Sequence, residues 1–94
     1  MYAITTYDGY AYVDLNITQH KKFGNDVIVI DDGSLSKKLR EVCFKHNVPL
    51  FNNCVNSCKK FDNGDVISTT QAIQYAYYHG YDYVVKQSRR FCFV

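Results

Sequence analysis

Asp31-Asp32-Gly33-Ser34 is the stretch of this chain best equipped for chemistry. It follows Val27-Ile28-Val29-Ile30, a run of β-branched apolar residues that reads as a strand buried on both faces. Open α/β sheets bind ligands in the crevice beyond the carboxyl ends of their strands. Two carboxylates at such a strand tip are placed to accept hydrogen bonds from a base or a ribose. The same residues also suit a purely structural part, a polar turn into a helix with Ser34 as its N-cap.

Other elements must hold that tip in place. Tyr2-Ala3-Ile4-Thr5-Thr6 has strand composition. Asp8-Gly9 is a hairpin signal, and Ala11, Val13, Leu15 and Ile17 alternate with polar or aromatic residues as a second strand would. A helix over the same residues matches less well, with Tyr10, Val13 and Ile17 on one face. Leu35, Leu39, Val42, Cys43 and His46 follow helical spacing, and Asn47 and Pro49 stop that helix. Pro49-Leu50-Phe51 can start a short strand, and residues 52–64 read as a polar loop. Ser68-Thr69-Thr70-Gln71 is a capping box ahead of Ala72, Ile73 and Ala76, and Gly80 suits the end of that helix. Tyr81 to Lys86 then forms another strand. The expected elements are strands at Ala3–Thr6, Val27–Ile30 and Tyr83–Val85 and helices at Leu35–His46 and Thr69–His79. This alternation predicts a layered α/β domain with a mostly parallel sheet flanked by helices.

A chain of 94 residues makes one domain with a modest core, and its 47% hydrophobic content excludes disorder. The net charge of +2 and scattered Lys and Arg give no footprint for nucleic acid. No run is apolar and long enough to span a bilayer or to act as a signal peptide. The default expectation is cytosolic, with the four Cys as thiols.

Taken together, these motifs resemble the amino-terminal, nucleotide-binding half of a GT-A glycosyltransferase, of the large inverting family that makes polysaccharides and glycoconjugates. The first strand ends in Thr5-Thr6-Tyr7-Asp8, and a later one in Ile30-Asp31-Asp32-Gly33-Ser34. A glycine-led helix runs from Gly64 through Thr70-Gln71-Ala72-Ile73, and Gly80 to Val85 matches the last strand. The likeness covers nearly the whole chain. It implies a Rossmann-like half-domain in which residues 11–17 are helical, and we side with it against the hairpin. It implies binding of a nucleotide sugar, with a UDP-sugar favoured, for transfer to a hydroxyl of a glycan, lipid or protein. Thr5 and Tyr7 would line the uracil pocket, Tyr7 by stacking. Asp32 would accept from the base N–H, and Asp31 or Asp8 would help to hold the ribose.

The sequence departs from the family where the metal belongs. Carboxylates that hold Mn²⁺ or Mg²⁺ are expected after the last strand, and here the chain reads Lys86-Gln87-Ser88-Arg89-Arg90. Two guanidinium groups would repel a divalent ion and can bind a pyrophosphate directly. The alternative is a solvated charge pair. The acceptor-binding half with its catalytic base is missing, and the apolar ending Phe91-Cys92-Phe93-Val94 looks interrupted. The chain is expected to be a fragment, or a truncated relative without catalysis.

Three other readings compete. Cys43-x2-His46 with Cys54-x3-Cys58 has ligand types suited to zinc, although Cys43 falls on the buried stripe of its helix. A binding module without a reaction fits the small size and apolar end. A receiver domain would need a phosphoacceptor Asp near Leu50-Phe51, where none stands. Hydrolase chemistry has no support, because no Gly-x-Ser-x-Gly elbow occurs and His20, His46 and His79 read as surface or helix-end residues.

Overall fold

Two strands buried on both sides dictate the architecture. β1 (Tyr2–Thr6) holds Ala3 and Ile4 at zero exposure on opposite faces, and β2 (Val27–Asp31) is buried at every position. Such strands need a helical layer above and below them. The computed structural model, which describes residues 1–52 and 64–88, supplies both. Its remaining elements are α1 (Tyr10–Lys22), α2 (Lys37–His46), β3 (Leu50–Asn52), α3 (Gly64–Tyr78) and β4 (Val85–Ser88). The sheet order is β3-β2-β1-β4, with every pair parallel.

α1 and α2 cover one face, where Val13, Ile17, Leu39 and Val42 pack on Ile4, Val27 and Val29. α3 covers the other, with Ala72 against Ala3, Ile28 and Ile30. The chain winds from β1 through β2 to β3 under one helical layer. It then crosses by the opposite layer to reach β4, on the far side of β1. Right-handed crossovers require that change of face when the winding direction reverses. Among the described residues, no helix is long and apolar enough to cross a membrane.

Several expectations need correction. Residues 11–17 belong to α1 and form no hairpin strand, as the family likeness implied and alternation did not. The Asp8-Gly9 signal is locally right, since both residues take positive φ, 57° and 61°, but the turn feeds a helix. α2 begins at Lys37, capped by Ser36, whose Oγ accepts from the Leu39 N–H at 3.2 Å. Leu35 is 59% exposed with φ of 55°, outside the buried stripe. α3 starts at Gly64, so Ser68 is a buried interior residue in line with Ala72 and Ala76 and no cap. These small side chains let the helix lie close to the sheet. β4 runs from Val85 to Ser88, beyond the expected Tyr83–Val85, because Tyr2 sets its register against Val85. Most of the expected loop at 52–64 lies outside the described residues.

A buried polar chain fixes β4 to α1. The Tyr12 carbonyl can only accept, so the Asn16 atom 3.1 Å from it is Nδ2. Asn16 Oδ1 then accepts from Gln87 Nε2 at 3.0 Å, and Gln87 Oε1 from His20 Nε2–H at 2.7 Å. Asn25 Nδ2 lies 3.2 Å from His20 Nδ1, and Tyr2 stacks on the imidazole at 4.2 Å. His20 stands in the last turn of α1, a helix end as one of the two expected placements had it, but it is a fully buried tie and not at the surface. Gln87→Leu removes a hydrogen bond from each of two buried polar partners and is expected to cost about 1–3 kcal/mol in urea denaturation. A loss below about 0.5 kcal/mol would show the network to be dispensable.

α1 and α2 are clasped at the surface by Asp14, whose oxygens lie 2.6 Å from His46 Nε2 and 3.0 Å from Lys45 Nζ. The hydrogen bond with His46 does most to hold the Asp14 carboxyl below its ordinary value, against an opposing effect of burial. A carboxyl pKa lowered on folding contributes stability above the unfolded value and loses it as pH falls through the folded one. Asp14→Asn should therefore flatten the decline of Tm below about pH 4, read by scanning calorimetry across pH.

Candidate functional site at the carboxyl edge of the sheet

Strand alternation sorts the residues of this edge onto two faces. Ile4 and Val29 face α1 and α2, so Thr6 and Asp31 belong to that side. Ala3 and Ile30 face α3, so Thr5 and Asp32 belong there. The ladder continues one rung past β2, with the Asp32 N–H donating to the Thr6 carbonyl at 2.8 Å, so the alternation holds at Asp32. Ser88 pairs in register with Thr5 and shares its face. Thr5, Asp32 and Ser88 thus lie on one face at the carboxyl tips of β1, β2 and β4. Tyr7, just past β1, is 51% exposed.

Asp31 is fully buried and committed to the chain itself. Its Oδ1 accepts from the Asp8 N–H at 3.2 Å and its Oδ2 from the Leu35 N–H at 3.1 Å. The Ser34 hydroxyl sits between them, 2.8 Å from one oxygen and 2.7 Å from the other. Ser34 therefore holds Asp31 and does not cap α2. The Thr6 hydroxyl donates to the Asp8 carbonyl at 2.6 Å, closing the β1–α1 turn. Asp8 is half-buried, and its Oδ1 is enclosed with no hydrogen-bond partner among the described residues. α1 opens beside it from Gly9 with no side-chain cap and no acidic residue in its first turn.

Under this edge lies Cys43, 2% exposed. Burial pushes its thiol up to about 11, and the negative charge of Asp31 adds to the effect. A thiol so hard to ionise is a poor zinc ligand. His46, the second residue of that motif, is taken by Asp14, while Cys54 and Cys58 lie outside the described residues. Among the described residues, no group of three or more His, Cys, Asp or Glu could hold a metal ion. The family metal does not fit either, since β4 ends in Ser88 and is followed in sequence by Arg89-Arg90, with no carboxylate. Arg89 and Arg90 themselves lie outside the described residues.

Sequence reasoning missed Ser88, because its partnership with Thr5 is visible only in the β1–β4 register. It also missed Asn16, His20 and Gln87, whose polarity hides them from an apolar period. No protein-family model matches the chain, and neither a curated protein nor a solved structure matches it. In the native protein at pH 8, Cys43 should resist iodoacetamide until the chain is unfolded in urea, as read by peptide mapping. Rapid native labelling of Cys43 would contradict its burial.

Proposed function

We propose that this chain binds a nucleotide sugar at the carboxyl edge between β1 and β4, as the donor half of a GT-A-like glycosyltransferase. The observation that carries the reading is the reversal of strand order there. A doubly wound sheet leaves its ligand crevice where neighbouring strands send their connections to opposite faces. β1 leads to α1 on one side, and α3 leads into β4 from the other.

In this reading Asp32 accepts from the N–H of a uracil base, Tyr7 supplies a ring for stacking, and Thr5 and Ser88 floor the pocket. Asp8, in the turn after β1, helps to hold the ribose. Asp31 acts as a positioning residue, because its oxygens are filled by chain donors. Arg89 and Arg90 take the charge of the pyrophosphate in place of a divalent ion. The acceptor hydroxyl, on a glycan, lipid or protein, and the base that deprotonates it belong to an acceptor-binding half. A cytosolic setting accords with this donor and with free thiols.

Titration calorimetry with UDP tests the reading. Binding should be the same with Mn²⁺ and with EDTA, and should weaken as salt rises. Asp32→Ala should weaken it by about 1–3 kcal/mol, the cost of an unpaired buried donor. Strong enhancement by Mn²⁺ would remove the arginine role. Equal affinity of both proteins for UDP would remove Asp32 from the pocket, and absence of UDP binding would overturn the nucleotide reading.

A further inference from the structure

The opposite side of the sheet carries a second surface, independent of the proposed nucleotide site and two strands away from the β1–β4 junction. β3 is the edge strand there among the described residues. The Val29 N–H takes the Pro49 carbonyl at 2.9 Å, and Val29 pairs in register with Leu50. Backbone groups alternate along a parallel strand, so the N–H and C=O of Leu50 point away from β2, toward the edge. Beside them a groove of about 650 Å³ runs between β3 and α2. Its apolar lining includes Val48 and Leu50, and Phe44 forms part of its wall at 89% exposure.

The charge along this groove is one-sided at one end. Lys37 and Arg40 line it from the first turn of α2, Lys38 shares that turn, and the turn holds no acidic residue. Cations at a helix N-terminus face the positive end of the macrodipole and work against the helix. Lys38 is engaged by Tyr10 of α1, its Nζ 3.4 Å from the phenol oxygen, whereas Lys37 and Arg40 line the groove and create a field there for an anion. Glu41, one turn on, is the single carboxylate of the lining.

We infer that this groove receives an extended acidic peptide segment of a partner protein, added as a strand to the edge that β3 presents among the described residues. The outward Leu50 groups supply main-chain hydrogen bonds, Val48, Leu50 and Phe44 take its apolar side chains, and Lys37 and Arg40 take its carboxylates. Strand addition with alternate side chains in pockets is an established mode of peptide recognition.

The test uses the full chain and a fluorescein-labelled peptide of alternating Glu and Val, with a Lys and Val peptide as control. Fluorescence anisotropy should show binding of the Glu peptide alone, weakening with salt. The Lys37→Glu, Arg40→Glu double variant should lose about tenfold or more in affinity. Its Tm should not fall, because acidic residues suit that helix end. Hydrogen exchange at the Leu50 amide should slow when the Glu peptide is bound. Equal binding of the Lys peptide, an unchanged Leu50 amide, or no binding of either peptide would overturn the inference. Displacement of the peptide by inorganic pyrophosphate would also overturn it, by assigning the cations to a phosphate ligand.

Discussion

The carboxylate of Asp31 is the constraint on which the edge of this sheet depends. It sits at zero exposure at the end of β2 and gathers the backbone of two different turns, at Asp8 and at Leu35. Both turns contain a non-glycine residue of positive φ, Asp8 and Leu35, a conformation that costs about 1–2 kcal/mol per residue. One buried anion offsets both costs, because charge-assisted hydrogen bonds are the strong ones. α1 and α2 each start from the geometry it sets. The sequence placed Asp31 and Asp32 side by side as equals, and the sheet separates them. Asp31 turns toward α1 and α2 and serves the fold, while Asp32 turns toward α3 on the opposite face.

How much of this was legible in the chain depended on whether burial coincided with apolarity. Val27 to Ile30 announced β2 because every side chain was apolar, and Leu39, Val42 and Cys43 announced α2 for the same reason. α1 was disguised. Its buried face consists of Val13, Asn16, Ile17 and His20, so half of the stripe is polar and the apolar residues alone fall into alternation. Leu15, which completed that alternation, is 49% exposed. β4 was displaced in the reading for a related reason. Tyr83 is exposed and Gln87 is buried, the reverse of what side-chain polarity favours. Both errors come from one hydrogen-bonded chain, in which Gln87 satisfies Asn16 and His20 across the sheet. Motif singled out Thr5, Tyr7 and Asp32 as candidates, whereas the neighbourhood of Ser88 and Thr5 required the register between strands far apart in sequence.

The two ends of the strand order present different surfaces. At the β1–β4 junction Thr5, Asp32 and Ser88 share one face of the sheet at the strand tips. The β3 end is, among the described residues, an edge beside a groove with apolar lining and cations at its rim. The first end presents polar side chains, while the second presents outward backbone and a nearly bare aromatic ring, Phe44. The central strands β1 and β2 that separate them form the best-buried part of the sheet.

The direction of hydrogen bonding from Tyr12 through Asn16 and Gln87 to His20 has one more consequence. It leaves a hydrogen on Nε2 of an imidazole with no exposure to water, held by a side chain of β4. Ring N–H hydrogens normally exchange with solvent too fast to be seen, whereas an enclosed one persists. The molecule thus carries its own spectroscopic gauge. A resolved His20 Nε2–H resonance reports that the fourth strand is docked, and its broadening would register the strand's departure before any change in helix content.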